Sequence, residues 1–242
     1  MGLCMFYLIP AVVFSSAIGV AFKLAESRVE SRITMLMANY IVAVLISALM
    51  WAASGVPAVV SNVSLILALL TGLIFAGNFF VMMLAVRARG VALPVILMRL
   101  SAVVPVGASV VFFAERPDLV QYFGLAGALT AAALLSVSVK GGRLQSSGVK
   151  TGMSLIPASL GMLLCFGAAD LFLKLFDEFG PPAEKPLFLL LLFASALAVF
   201  VLAALYKKVR PKIKDMLWGA AIGVPNMLAA WFIVTALSEL PA

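Results

Sequence analysis

The chain has no histidine and only two cysteines in 242 residues. The first absence removes the side chain that most often acts as general base near neutral pH, together with the commonest metal ligand. Cys4 and Cys165 fall at or inside apolar runs with no partner spacing, so they read as packing residues rather than a disulfide or a metal site. Charge is scarce as well, 11% of residues against about 25% in soluble domains. The glycine-containing stretch KGGRLQSSGVK has no G-x(4)-G-K-[ST] pattern and reads as a linker. An intramembrane enzyme needs a nucleophile and base, or two converging carboxylates, at membrane depth. Only one acid, Asp170, lies well inside an apolar run, so no catalytic activity, metal or cofactor is expected. What the chain has in quantity is apolar residues, 64% with a mean hydropathy of +1.19, which is the composition of an integral membrane protein. The net charge of +7 sits between the apolar runs and is a topology signal, not a nucleic-acid footprint.

Runs bounded by charge, glycine and proline predict eight spans: Leu3–Leu24, Ile33–Ala53, Val63–Val86, Val91–Phe113, Leu119–Val139, Ser154–Phe176, Leu187–Tyr206 and Asp215–Leu237. The first has no basic residue ahead of it and no small-residue cleavage site behind it, so it is expected to be a retained helix. Alternation of the spans puts thirteen lysines and arginines on one side and three on the other (Arg116, Lys174, Lys185); with Arg99 set aside these make up the 17 present. The positive-inside rule then predicts an N-terminus outside a cell membrane, inner or plasma, with the RARG turn in the cytoplasm.

That turn joins two membrane-length runs between Gly72 and Pro117. Arg99 stands about eight residues into the second run, roughly 12 Å below the membrane edge, where a guanidinium is costly and marks a candidate functional site. Pro94 and Pro105 bracket it and interrupt the ladder of backbone hydrogen bonds on both sides.

AFKLAE at residues 21–26 recurs as FLKLFD at 172–177, an offset of 174 − 23 = 151 that also pairs Gly72 with Gly223, Ala17 with Ala168 and Ala85 with Ala236. Five spans separate the copies, and because five is odd the second copy is expected to be inverted, the ground plan of many secondary transporters. On this register the domains are 1–148, a five-helix repeat, and 149–242, three helices of a second; a truncation before two further helices is expected. The fold class expected is an all-α polytopic membrane bundle of inverted five-helix repeats, with eight of ten helices present.

A glycine-rich third span, the G-V-A-x-P turn, a proline in the fourth span, Glu115 with Arg116, a fifth span reading QYFGLAGALTAAALL and a first span reading SSAIGVAFKLAE together resemble the EamA-type drug/metabolite transporter superfamily. The resemblance implies a ten-helix bundle of two inverted repeats that moves small metabolites by alternating access. The chain departs from that pattern by lacking helices nine and ten and by a short spacing from Pro105 to Glu115.

The polar residues at membrane depth are therefore read as candidate contacts for a small polar or amphipathic metabolite. Arg99 would meet an anionic group, or else snorkel to the face that holds Arg87 and Arg89. Asn78 lies at a similar depth on the neighbouring span and can donate and accept at once, or tie two helices together. Asp170 would carry a coupling proton, or neutralise Lys174 one turn away. Asn226, beside Pro225 and Gly223, marks a kinked point from which backbone groups can reach a cavity. Ser16 near mid-depth of the first span and Trp231 in the eighth complete the set; Asn39 and Tyr40 are weaker candidates. The expected partners are the bilayer, a small-molecule metabolite and coupling protons. The alternative is a non-transporting membrane scaffold or an inactive remnant of such a transporter.

Overall fold

In lipid every backbone N–H and C=O must find its partner within the chain, so a polypeptide this apolar has the helix as its simplest solution. The computed structural model describes residues 2–89, 97–98, 100–101, 103–112, 122–124, 126–127, 130 and 155–238, and among these there are helices and turns but no strand. The helices are α1 (Gly2–Glu26), α2 (Arg32–Ser54), α3 (Asn62–Arg89), α4 (Val103–Phe112), α5 (Leu155–Phe179), α6 (Lys185–Tyr206) and α7 (Ile213–Ser238), with a 3-10 turn at Pro182–Glu184. Five stretches, in α1, α2, α3, α7 and the 3-10 turn with α6, are long and apolar enough to cross a membrane. The described residues are thus all-helical, and five apolar spans suggest a multi-pass membrane protein.

Local chemistry sets several of the ends. Ser31 caps α2 by accepting from Thr34 N at 3.3 Å, and Gly55 ends it at φ +67, a left-handed conformation that glycine adopts without penalty. Helix α3 runs on through Arg87 and Arg89, so those two basic residues form its last turn instead of the expected loop. Arginine is a good helix former and its charge is favoured at a helix C-terminus. The expected fourth span is broken at Ser101, which is a turn ahead of α4. Pro105 has no N–H for the Ser101 carbonyl, and Val104 N takes it instead at 2.9 Å, a tighter bond that ends the preceding turn.

The chain divides into two compact units, residues 1–79 with 172–242, and residues 80–171. The first unit holds α1, α2, the start of α3, the end of α5, α6 and α7. Its helix ends gather at two places. At one, the Asp215 carboxylate at the start of α7 accepts from Glu30 N (3.1 Å) and Ser31 N (2.9 Å) just ahead of α2. Lys212 pairs with Glu30, and the Arg28 guanidinium lies 5.4 Å from the centre of the Trp218 ring. At the other, the Glu184 carboxylate ahead of α6 accepts from Ser61 N at 3.1 Å and from Ser61 Oγ at 2.9 Å, just ahead of α3. In both places a carboxylate satisfies donors that a helix start leaves over. The first end carries Lys23, Arg28, Arg32, Lys207, Lys208, Arg210, Lys212 and Lys214; the second carries only Lys174 and Lys185. Each holds three described acids, so the asymmetry lies in the basic residues.

Close approach between helices depends on small residues, as it must where lipid is as apolar as leucine. A Cβ on Gly219 would strike the backbone of Met35 and Asn39; one on Gly223 would strike Asn39 O and Val42. Helix α7 therefore lies against α2 almost backbone to backbone. Gly72 plays the same part on α3, where a Cβ would meet Leu192 O and the Ser195 side chain of α6. Between these contacts runs an aromatic spine, Phe22 to Phe79 (5.6 Å), Phe79 to Tyr40 (5.8 Å) and Tyr40 stacked on Phe200 (5.5 Å).

In the second unit, the end of α3, the turn at Ser101, α4 and most of α5 are described. Gly167 of α5 lies against the Val104 side chain and the Ser101 carbonyl, space that a Cβ would need.

Candidate functional site

Polar side chains are few in this interior, and each buried one must be matched or carry a penalty of about 1–3 kcal/mol. On the first unit, Asn39 of α2 is fully buried and Asn226 of α7 is 3% exposed. Asn226 Nδ2 donates to Asn39 Oδ1 at 3.3 Å. Helix α7 brings Asn226 there because Gly219 and Gly223 let its backbone close on α2, and because Pro225 withholds an N–H from the Ala221 carbonyl and loosens that turn. Asn39 Nδ2 has no hydrogen-bond partner among the described residues, and the same is true of the buried Tyr40 hydroxyl. The two belong to adjacent residues about 100° apart on the helix, Asn39 toward α7 and Tyr40 among Phe79, Phe193 and Phe200. The α2 side of the interior thus presents donors in reserve. A ligand oxygen or water would satisfy them.

Of the six residues expected at the site, Asn78 is buried on α3 and Asn226 is buried on α7. Trp231 is half-buried on α7. Ser16 is exposed on α1, and its hydroxyl donates to the Val12 carbonyl at 2.7 Å. Asp170 belongs to the second unit, half-buried on α5, with Oδ2 3.2 Å from Ser101 Oγ. Arg99, the residue on which the expected site centres, lies outside the described residues. Lys174 pairs with Glu178 at 3.5 Å, one turn on along α5. Cys165, expected as a packing residue, is an exposed free thiol on α5.

The structure therefore joins one expected residue, Asn226, to a weaker candidate, Asn39. Three further participants, Ser101 beside Asp170 and the Asp215 and Glu184 caps, were not singled out as contacts between helices. A serine four residues ahead of a proline was the available signal for the first. No family model matches the chain, and no curated protein matches it.

Proposed function

We propose that the protein is a secondary transporter, moving a small polar or amphipathic metabolite across a cell membrane by alternating access between two inverted repeats. The observation that carries this reading is a reciprocity at the offset of 151. Added to the bounds of α2 and to the start of α3, that offset gives 183, 205 and 213, against observed bounds of 185 and 206 for α6 and a start of 213 for α7. Gly72 is the counterpart of Gly223. Gly72 packs on Leu192, whose counterpart is residue 192 − 151 = 41, and Gly223 packs on residues 39 and 42, on either side of that position. Each copy's third helix leans on the other copy's second, the self-complementary arrangement that a twofold axis generates.

The caps obey the same relation. The starts of α2 and α7 are tied at one end of the unit, and the starts of their counterparts α6 and α3 are tied at the other. Helix α1 accordingly finishes at one end and α5 at the opposite one, which supports the opposite senses that inverted repeats require. Helix α3 begins at the end where α5 finishes, which suits the eight-span count with two spans between them. The excess of basic residues at the end holding the α1–α2 connection supports a cytoplasmic location for it and an N-terminus outside.

Resemblance to EamA-type carriers, the reserve donors at Asn39 and Tyr40, and polar groups at Asn78, Asp170, Asn226 and Arg99 support a polar cargo with proton coupling. Ser16 and Trp231 are proposed as flanking contacts. Uptake by proteoliposomes, screened over labelled amino acids, nucleosides and organic acids, tests the reading. Transport of at least one class, weakened at least tenfold by Arg99→Ala or Asn226→Leu, is the outcome expected. Uptake indistinguishable from empty vesicles across the screen would favour a scaffold, and uptake untouched by both substitutions would remove the site.

A further inference from the structure

Residues 207–212, the connection between α6 and α7, read KKVRPK, and Lys214 follows in the first turn of α7. Lys212 pairs with Glu30. The side chains of Lys207, Lys208, Arg210 and Lys214 are exposed and make no hydrogen bond or ion pair with the described residues. The carboxylates nearest in the fold are already engaged, Asp215 with Glu30 N and Ser31 N, and Glu30 with Lys212. A compact group of cations is thus left for something outside the chain.

The backbone holds these cations in one tight turn. Val209 N donates to Ala204 O at 3.0 Å and Lys208 N to Leu205 O at 3.1 Å, while Lys208 itself takes φ +50. This is the left-handed helix ending in which glycine is usual, because a Cβ is crowded there. Among the described residues Lys208 is the only non-glycine residue with a positive φ. On the membrane side of the turn the surface is apolar. Leu205 and Tyr206 at the end of α6, with Ile213 and Leu217 at the start of α7, are exposed within about 5–10 Å of the bases along the helices. Tyrosine, with an apolar ring and a polar tip, suits the level of lipid head groups. From the α1–α2 connection, Arg28 lies over the Trp218 ring and adds a further cation to the same end.

We propose that the α6–α7 turn binds the head group of an anionic phospholipid, with Lys207, Lys208 and Arg210 meeting its phosphate and Leu205, Tyr206 and Ile213 lying along the upper part of its acyl chains. Charge complementarity selects the anionic class, since a zwitterionic head brings an ammonium group that the bases repel. A soluble anion would leave the apolar side chains unused. Membrane topology needs positive charge only somewhere near the end of a span. It does not need lysine in a backbone conformation that favours glycine, set above exposed apolar side chains. The inference rests on the multi-pass membrane reading and needs no transported cargo.

Native mass spectrometry of the full chain tests it, with the protein released from micelles that hold equal amounts of phosphatidylglycerol and phosphatidylcholine with the same acyl chains. Phosphatidylglycerol is expected to be retained roughly tenfold or more over phosphatidylcholine. In Lys207→Gln/Lys208→Asn/Arg210→Gln the preference falls to within about twofold of parity. Lys208→Asn alone, whose asparagine tolerates the left-handed backbone, loses about fivefold, the equivalent of about 1 kcal/mol for one base near an anionic surface. Lys208→Arg keeps the preference. Equal retention of the two lipids by the native chain overturns the proposal, and so does a preference that survives the triple substitution. An equal loss in Lys185→Gln, at the opposite end of α6, would reduce the effect to net charge and also overturn it. Displacement of the lipid by millimolar inorganic phosphate would make the turn a soluble-anion site instead. If the lipid preference behaves as expected while the proteoliposome screen finds no cargo, the lipid site stands and the transporter reading falls.

Discussion

The α2–α7 and α3–α6 interfaces use one backbone plan and two chemistries. In both, a glycine, 223 or 72, at positions paired by the offset of 151, lets one helix press on another. At the first interface the contact buries Asn39 against Asn226. Their counterparts at the second are residue 39 + 151 = 190, a leucine, and residue 226 − 151 = 75, a phenylalanine set edge-on to Phe193 at 6.2 Å. Close packing therefore does not require the amides, since the sister contact does without them. The polar pair, with a donor left over among the described residues, is therefore not a requirement of the packing.

The comparison breaks most sharply at the glycines. Gly72→Leu and Gly223→Leu are each expected to prevent folding, while the alanine versions cost about 1–3 kcal/mol by overpacking against backbone. Gly77→Ala on α3 has open space around it and should stabilise slightly, since alanine is the better helix former by about 1 kcal/mol. Thermal unfolding in one detergent ranks all three.

Next in size are the caps. Asp215 is almost fully buried and serves two backbone N–H groups, so Asp215→Ala should cost about 2–3 kcal/mol, and Glu184→Ala, at a more open site, about 1 kcal/mol. Denaturation midpoints in the reverse order would contradict this ranking by burial.

The amide pair should respond differently. Asn39→Leu or Asn226→Leu alone leaves an unmatched partner and costs about 1–2 kcal/mol, whereas the double change imitates the apolar sister interface and restores most of that loss. Uptake should stay weakened at least tenfold in the double variant despite recovered stability. Smallest of all is the exposed Lys212–Glu30 pair. Glu30 raises the Lys212 pKa above its usual value, first by hydrogen bond and then by charge. The folded value exceeds the unfolded one, so the contribution is full below the unfolded value of 10.5 and fades as pH rises through the folded value. Lys212→Ala should therefore be silent at neutral pH in ordinary salt.

Much of the fold was legible in the chain, and the reasons differ by residue. Apolar runs locate α2, α6 and α7 to within two residues of their ends, because a membrane span needs a minimum length. The break ahead of Pro105 follows from its missing N–H. Hydropathy could not place Cys165, since a side chain facing lipid and one facing another helix are equally apolar. Nor could it pair Asn39 with Asn226, 187 positions apart, or Asp215 with Glu30, 185 apart. Such contacts depend on how helices meet, which periodicity along one helix does not encode.

Inversion of the two copies is the claim on which the rest depends, and topology measures it without any cargo. In a background of Cys4→Ala and Cys165→Ala, single cysteines at Ser27, after α1, and at Ala183, after α5, can be challenged with a membrane-impermeant thiol reagent from each side. The account predicts that the two react from opposite faces. Reaction of both from the same face would contradict it.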